Sequence, residues 1–190
     1  ESIPTGVAAI QKLGAEHDFL VDTTSNSDWF TDDSLTNYSA VVFLSTTGDL
    51  LNHYQEAAFE RYIQSGGGYV GVHGAADAEY DWGWYGRLVG GYFVSHPDQQ
   101  DAVLKKTDVS HPSVKHLPEE WKRWDEWYNF KKVNPDTKVI LTIDESSYKG
   151  GTQGDHHPMA WFHEYDGGRA FYTALGHTDE SYADTLFLNH

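Results

Sequence analysis

The sequence predicts an α/β fold in which a mostly parallel sheet is flanked by helices and gains extra strands in its second half. Three observations predict it. "AVVFLS", residues 40–45, is an unbroken apolar run of strand length, as expected where both faces of a strand are covered. Leu51, Tyr54, Ala58 and Tyr62 recur at intervals of three and four, the stripe of an amphipathic helix. Gly66-Gly67-Gly68 stops that helix just before a second apolar run, residues 69–72. Helix and strand therefore alternate, the pattern of a doubly wound sheet.

In order along the chain, Ser2 is placed to cap a first helix, Pro4 suits its first turn, and Gly14 is expected to end it. "DFLVD", residues 18–22, reads as a short strand, and residues 23–39 as polar, turn-rich chain. The strand at 40–45, the helix and the strand at 69–72 follow. The second half is richer in strand, with expected segments at 101–106, 124–130, 139–143, 159–163 and 170–175. Asp166-Gly167-Gly168 marks a hairpin between the last two. Residues 1–190 show no repeat, low-complexity tract or linker and are expected to form one domain. A doubly wound unit ordinarily opens on a central strand, whereas this chain opens on a helix. It is therefore expected to be a piece that lacks its first strand.

Composition narrows the function classes. Lys and Arg total 13 against 29 Asp and Glu, a formal charge of −16 that repels nucleic acid phosphates and anionic membranes. With no cysteine there is no disulfide, no zinc–thiolate site and no thiol nucleophile. The apolar fraction of 39% is that of a globular chain, yet no run approaches the ~20 residues of a membrane span.

"GGGYVGVHGAAD", residues 66–77, reads as a strand running into a tight turn with His73 at its apex. Small residues around one larger side chain let such a turn lift that side chain above the sheet edge. With its surroundings, "YSAVVFLSTTGDLL", "GGGYVGVHGAADAEYDWGWYGRLVGGYFVSHP", "DEWYNF", "ILTIDESSYKGG" and "HHPMAWFHEYDGGRAFYTALGHTDESY", the chain resembles the ThuA-like, trehalose-utilisation family, related to class I glutamine amidotransferases. The resemblance runs from about Ser2 to the C-terminus. It implies a flavodoxin-like three-layer sandwich, a link to sugar catabolism, a preceding strand and a little more helix after "FLNH". It also implies that His73 stands where amidotransferases carry their cysteine, with His177 in the histidine role and Asp179 roughly where the acid would be. A histidine forms no thioester, so glutamine hydrolysis is excluded.

For His73 the readings are a hydrogen-bonded turn histidine, or a base, metal ligand or sugar ligand at the C-terminal sheet edge where open α/β sheets bind ligands. His177 also ends a strand, and if the two strands are parallel neighbours the imidazoles converge. Two histidines and a carboxylate can hold Zn²⁺, but no short-spaced metal motif is present. No cofactor is predicted; a divalent ion at the His73/His177 cleft is the alternative. In "RWDEWYNF", alternation turns Asp125 and Glu126 opposite ways, so at most one enters the site. The resemblance favours Glu126. His96 and His157, each before a proline, are second-rank ligand-binding candidates that the resemblance places near the cleft. Asp77 either caps the next helix or orients His73. Trp82, Trp84 and Tyr85 are read as core, or as a stacking platform for sugar rings.

The expected function is carbohydrate utilisation: binding a sugar or oxidised keto-sugar and transforming it by acid–base chemistry of His73, His177 and Glu126. The alternative is a non-catalytic binding or assembly module. The expected partners are a small carbohydrate and other domains of a larger polypeptide, with no nucleic acid or membrane. The expected setting is extracellular or periplasmic, the alternative cytoplasmic.

Overall fold

The computed structural model describes residues 2–190. The first half forms helix α1 (Ile3–Glu16), a short helix α2 (Asp32–Leu35), strands β1 (Ala40–Leu44) and β2 (Thr47–Gly48), helix α3 (His53–Gln64), strands β3 (Gly68–Val72) and β4 (Asp77–Ala78), and helix α4 (Gly83–Val89). Then come β5 (Tyr92–Ser95), β6 (Gln100–Lys106), β7 (Glu120–Asp125), β8 (Asn129–Lys131), β9 (Lys138–Ile143), β10 (Pro158–Tyr165), β11 (Gly168–Thr173) and the last short helix α5 (Thr185–Leu188). Seven strands join one sheet in the order β1-β3-β11-β10-β9-β6-β7.

The sheet is α/β in kind but mixed in direction. β1, β3 and β11 run parallel, and the four pairings from β11 out to β7 are antiparallel. Parallel character is thus confined to the strands that meet at the His73 turn. In the antiparallel half, β10 and β11 are joined by the tight Asp166-Gly167 turn. Both residues there have positive φ (49° and 94°), as a two-residue hairpin of the right twist requires.

α3 and α4 cover one face. Phe59 of α3 stacks on Phe43 of β1 (5.5 Å between centroids), and fully buried Trp161 of β10 lies 4.5 Å from Tyr172 of β11. α1, α5 and the turn at Pro112–Val114 cover the other face. There Gly6 of α1 abuts Leu44 and Tyr182, while His111 packs on Phe162 and Phe171. α3 starts on a capping box the sequence reading did not single out: Asn52 accepts from the Tyr54 and Gln55 amides, and the Gln55 side chain accepts from the Asn52 amide.

Four local expectations are corrected. α1 runs through Gly14 to Glu16, because Gly14 is packed tightly on the Phe19 carbonyl and Val21 and serves close approach instead of termination. Ser2 makes no side-chain cap bond; its hydroxyl donates to the Gly176 carbonyl. Residues 18–22 are not a strand: Asp18 belongs to the turn after α1, and the segment that follows becomes a strand only beside a partner, which none of the described strands supplies. Residues 124–130 are not one strand. β7 ends at Asp125, and β8 belongs to a separate ribbon with β5.

Candidate active site

The site is built where β3 and β11, hydrogen-bonded neighbours, come to their C-terminal ends. After Val72 the chain turns through His73 in the left-handed region (φ 47°), which costs a non-glycine residue about 1–3 kcal/mol when surrounding structure enforces it. Enforcement comes from β11 and the residues after it. The Tyr172 hydroxyl donates to the His73 carbonyl (2.8 Å), and His73 Nδ1 lies 2.8 Å from the Ala174 carbonyl. Gly74 follows because any Cβ there would lie within about 3.1 Å of the Ser45 backbone. The apex imidazole is therefore gripped at ring and backbone alike.

His177 arrives from the other strand. Beyond β11 the chain passes Gly176 (φ 100°), and the amides of Gly176 and His177 both donate to Asp125 at 3.0 and 3.1 Å. Asp125 is fully buried, paired with Arg123 at 3.0 Å and near the Ser181 hydroxyl at 3.3 Å. Burial depresses the Arg123 pKa in spite of the charges of Asp125 and Asp184. Asp125 is thus a buried anchor for the His177 loop, and Glu126, the next residue, points into the cleft.

Three atoms converge there. His73 Nε2 lies 3.1 Å from Glu126 Oε2 and 3.1 Å from His177 Nδ1, and His177 Nδ1 lies 3.4 Å from the same Oε2. His96, beyond β5, brings Nδ1 to 3.3 Å from Glu126 Oε1. Exposure grades outward: the side chains of His73, Glu126, His177 and His96 are 3, 10, 27 and 42% accessible. The ring of Tyr128 covers His73 at 4.1 Å and Phe93 packs on Tyr128 at 4.3 Å, forming an apolar wall.

The electrostatics follow from this packing. Burial pushes the Glu126 pKa up, but the His73 hydrogen bond and the positive charges of His73, His177 and His96 outweigh it, and the net shift is downward. Glu126 is a carboxylate. Burial, then repulsion from His73, lowers His177 against the pull of Glu126 and Asp125, which favours the neutral imidazole. Burial, followed by the Glu126 charge, raises Tyr128, so its phenol stays protonated. The arrangement holds a shielded anion between imidazoles, two of which reach solvent. Such a set can accept, store and return protons.

A family model described as trehalose utilisation, ThuA, matches residues 1–190. The chain belongs to the ThuA family. Membership makes it a carbohydrate-utilisation domain. Solved ThuA-like proteins share the fold. One from Bacteroides uniformis superimposes with a TM-score of 0.82 at 24% identity, over 97% of this chain and 80% of that one. Another, from Parabacteroides merdae, gives 0.74 at 26% identity, over 92% and 74%. A cytoplasmic protein of Salmonella typhimurium gives 0.71 at 14% identity, over 100% and 83%. No curated protein matches the chain.

Within this ThuA domain the sequence candidates separate. His73, His177, Glu126 and His96 meet. His157 does not reach the cleft. It is fully buried, with Nε2 at 2.7 Å from the Tyr128 carbonyl and Nδ1 at 2.7 Å from Glu145. Asp77 does not cap the next helix, which Trp82 precedes, and it holds no ring of the cluster; it closes the turn after His73 and accepts from the Tyr80 hydroxyl at 2.6 Å. The stacking platform is corrected. Tyr85 is sealed in the core, donating to the Ala75 carbonyl. Trp84 donates to Asp166, before β11 begins, whereas His177 follows its end, and Trp82 stacks on Trp84. These rings therefore lie toward the far end of the sheet. Asp179, the acid suggested by the resemblance, is exposed at the head of a turn, and the carboxylate beside His177 is that of Glu126. The anchor Asp125 and the wall Tyr128 were missed as site residues; the acidic pair set among aromatics in "RWDEWYNF" was their only signal.

Proposed function

We propose that this ThuA domain binds an oxidised sugar and moves protons at the carbon next to its carbonyl. The observation that supports this most is the convergence of a carboxylate with a buried and two solvent-facing imidazoles at the C-terminal sheet edge. In this reading His177, neutral and accessible, takes the proton from carbon, and His96 returns one to oxygen or to the neighbouring carbon. The His73–Glu126 pair behind them balances the changing charge. Isomerisation, and elimination of a group beta to the carbonyl, are the outcomes such proton movement serves. Glycoside hydrolysis by two facing carboxylates is not the better reading, because Glu126 is the one carboxylate among the converging groups.

The test is exchange of solvent deuterium into keto-disaccharides, oxidised trehalose among them, followed by NMR. The wild-type chain is expected to label the carbon beside the carbonyl and His177→Ala to lose that labelling. Because the folded pKa of His177 lies below 6.5, kcat/KM should hold its plateau to more acid pH than free imidazole allows. A panel in which no keto-sugar exchanges faster than in buffer would leave the chain a non-catalytic binding module.

A further inference from the structure

We propose that His73 Nε2, Glu126 Oε2 and His177 Nδ1 are the ligands of a divalent transition-metal ion of the zinc class, with a fourth position open toward His96 and solvent. The inference rests on the reading of this cluster as the reactive centre and says what occupies its middle.

Hydrogen-bond chemistry leads there first. The Ala174 carbonyl can only accept, so His73 Nδ1 carries the hydrogen that lies between them. In the neutral ring Nε2 then presents a lone pair, and it faces a carboxylate oxygen at 3.1 Å and a second imidazole nitrogen at 3.1 Å. With His177 in its Nε2–H tautomer, all three meeting atoms are electron donors. A proton on His73 Nε2 or on His177 Nδ1 serves one direction well and the other poorly, since an N–H bond weakens steeply away from linearity. A cation serves all three donors together.

Geometry agrees. Tetrahedral zinc bonds of about 2.0–2.2 Å to nitrogen and oxygen place neighbouring ligand atoms ~3.3 Å apart. The three separations here are 3.1, 3.1 and 3.4 Å. The outer contacts are those that metal ligands require. The distal nitrogen of His73 donates to a backbone carbonyl, fixing its tautomer, and Asp125 holds the backbone of His177 through two amides. Two histidines and one carboxylate leave the open position of a catalytic site. An ion there polarises the carbonyl or adjacent hydroxyls of a bound sugar. When the ion is bound, His177 is a ligand and no longer the free base of the reading above, and His96, 3.3 Å from the second Glu126 oxygen, takes over the proton movement.

The experiment uses the full 190-residue chain, stripped with a chelator and titrated with Co²⁺ and Zn²⁺ by calorimetry and visible absorption. The expected result is one tight equivalent, with the intense visible bands of tetrahedral cobalt. Affinity should fall at least 100-fold in His177→Ala and in Glu126→Gln, and by less than a few-fold in His157→Gln. His177 lies partly at the surface, so its variant keeps the test alive if a His73 variant does not fold; circular dichroism certifies each protein. Absence of a tight equivalent overturns the proposal. So does binding that survives both His177→Ala and Glu126→Gln, which would assign it to the other histidines. Deuterium exchange into keto-sugars separates the two readings. Stoichiometric cobalt with no exchange upholds the metal site and sinks the sugar chemistry, whereas exchange by a chain that binds no metal does the reverse.

Discussion

His73 and His157 both lie against a glutamate, at 3.1 and 2.7 Å, and both are buried. At His157 each ring nitrogen faces an oxygen, and Glu145 also accepts from the Gln153 amide at 2.7 Å. No face is open there, and the contact ties the segment 145–157 to the Tyr128 backbone. At His73 a second imidazole meets the same carboxylate oxygen, and the cluster reaches solvent through His177 and His96. A histidine–carboxylate contact alone is thus no sign of chemistry. What separates a clamp from a centre is whether further titratable groups converge on the contact and open it to solvent.

The contrast breaks most easily at the two glutamates. Glu126→Gln is expected to lower deuterium exchange by about 10²–10⁴-fold while leaving the thermal midpoint nearly unchanged, because in the proposed reading its charge supports the imidazoles that move the protons. Next in size is Asp125→Asn. It leaves the buried Arg123 guanidinium with only the more distant Asp184 carboxylate at 3.8 Å, which costs up to about 3–5 kcal/mol, and frees the His177 backbone. Urea midpoint and exchange rate should fall together, and loss of one alone would deny that Asp125 is an anchor. Glu145→Ala is the counterpart at the clamp, with a stability loss of about 1–3 kcal/mol for the unmatched His157 and Gln153 groups and exchange held within a few-fold. Should Glu145→Ala abolish exchange and Glu126→Gln only destabilise, the two sites have been assigned the wrong way round.

The smallest effect concerns a third buried ring, which belongs to neither class. His163 donates from Nε2 to the Arg87 carbonyl, and its Nδ1 has no partner among the described residues. Burial lowers its pKa from 6.5. The unfolded chain therefore takes up the proton first as pH falls, and stability declines from about pH 6.5 down to the depressed folded value, then levels. Melting curves between pH 7 and 5 should show a shallower slope in His163→Leu than in the wild-type chain.

Legibility in the sequence followed locality. β1, α3 and the Asp166-Gly167 hairpin were readable because each rests on its own few residues: an apolar run, a three-and-four stripe, two positions fit for positive φ. The mixed direction of the sheet was not, since it depends on which distant strand lies alongside. Residues 18–22 have strand-like composition and lack a partner. "RWDEWYNF" hid the break after Asp125, where alternation stops applying and the acids part, one into the core and one into the cleft. His73 and His177 were legible as candidates from their places at strand ends. Their partners were less so. His157, in a His-Pro turn much like that of His96, differs from it only in what the surrounding fold places beside it.

Val72 and Thr173 are paired rungs of one ladder, and the two imbedded rings stand just past them. Nothing resembling a joint runs between these supports, so their spacing is as stiff as the backbone lattice itself. Any change in the width of the cleft is left to His96, the most accessible of the four side chains and carried by neither of these strands.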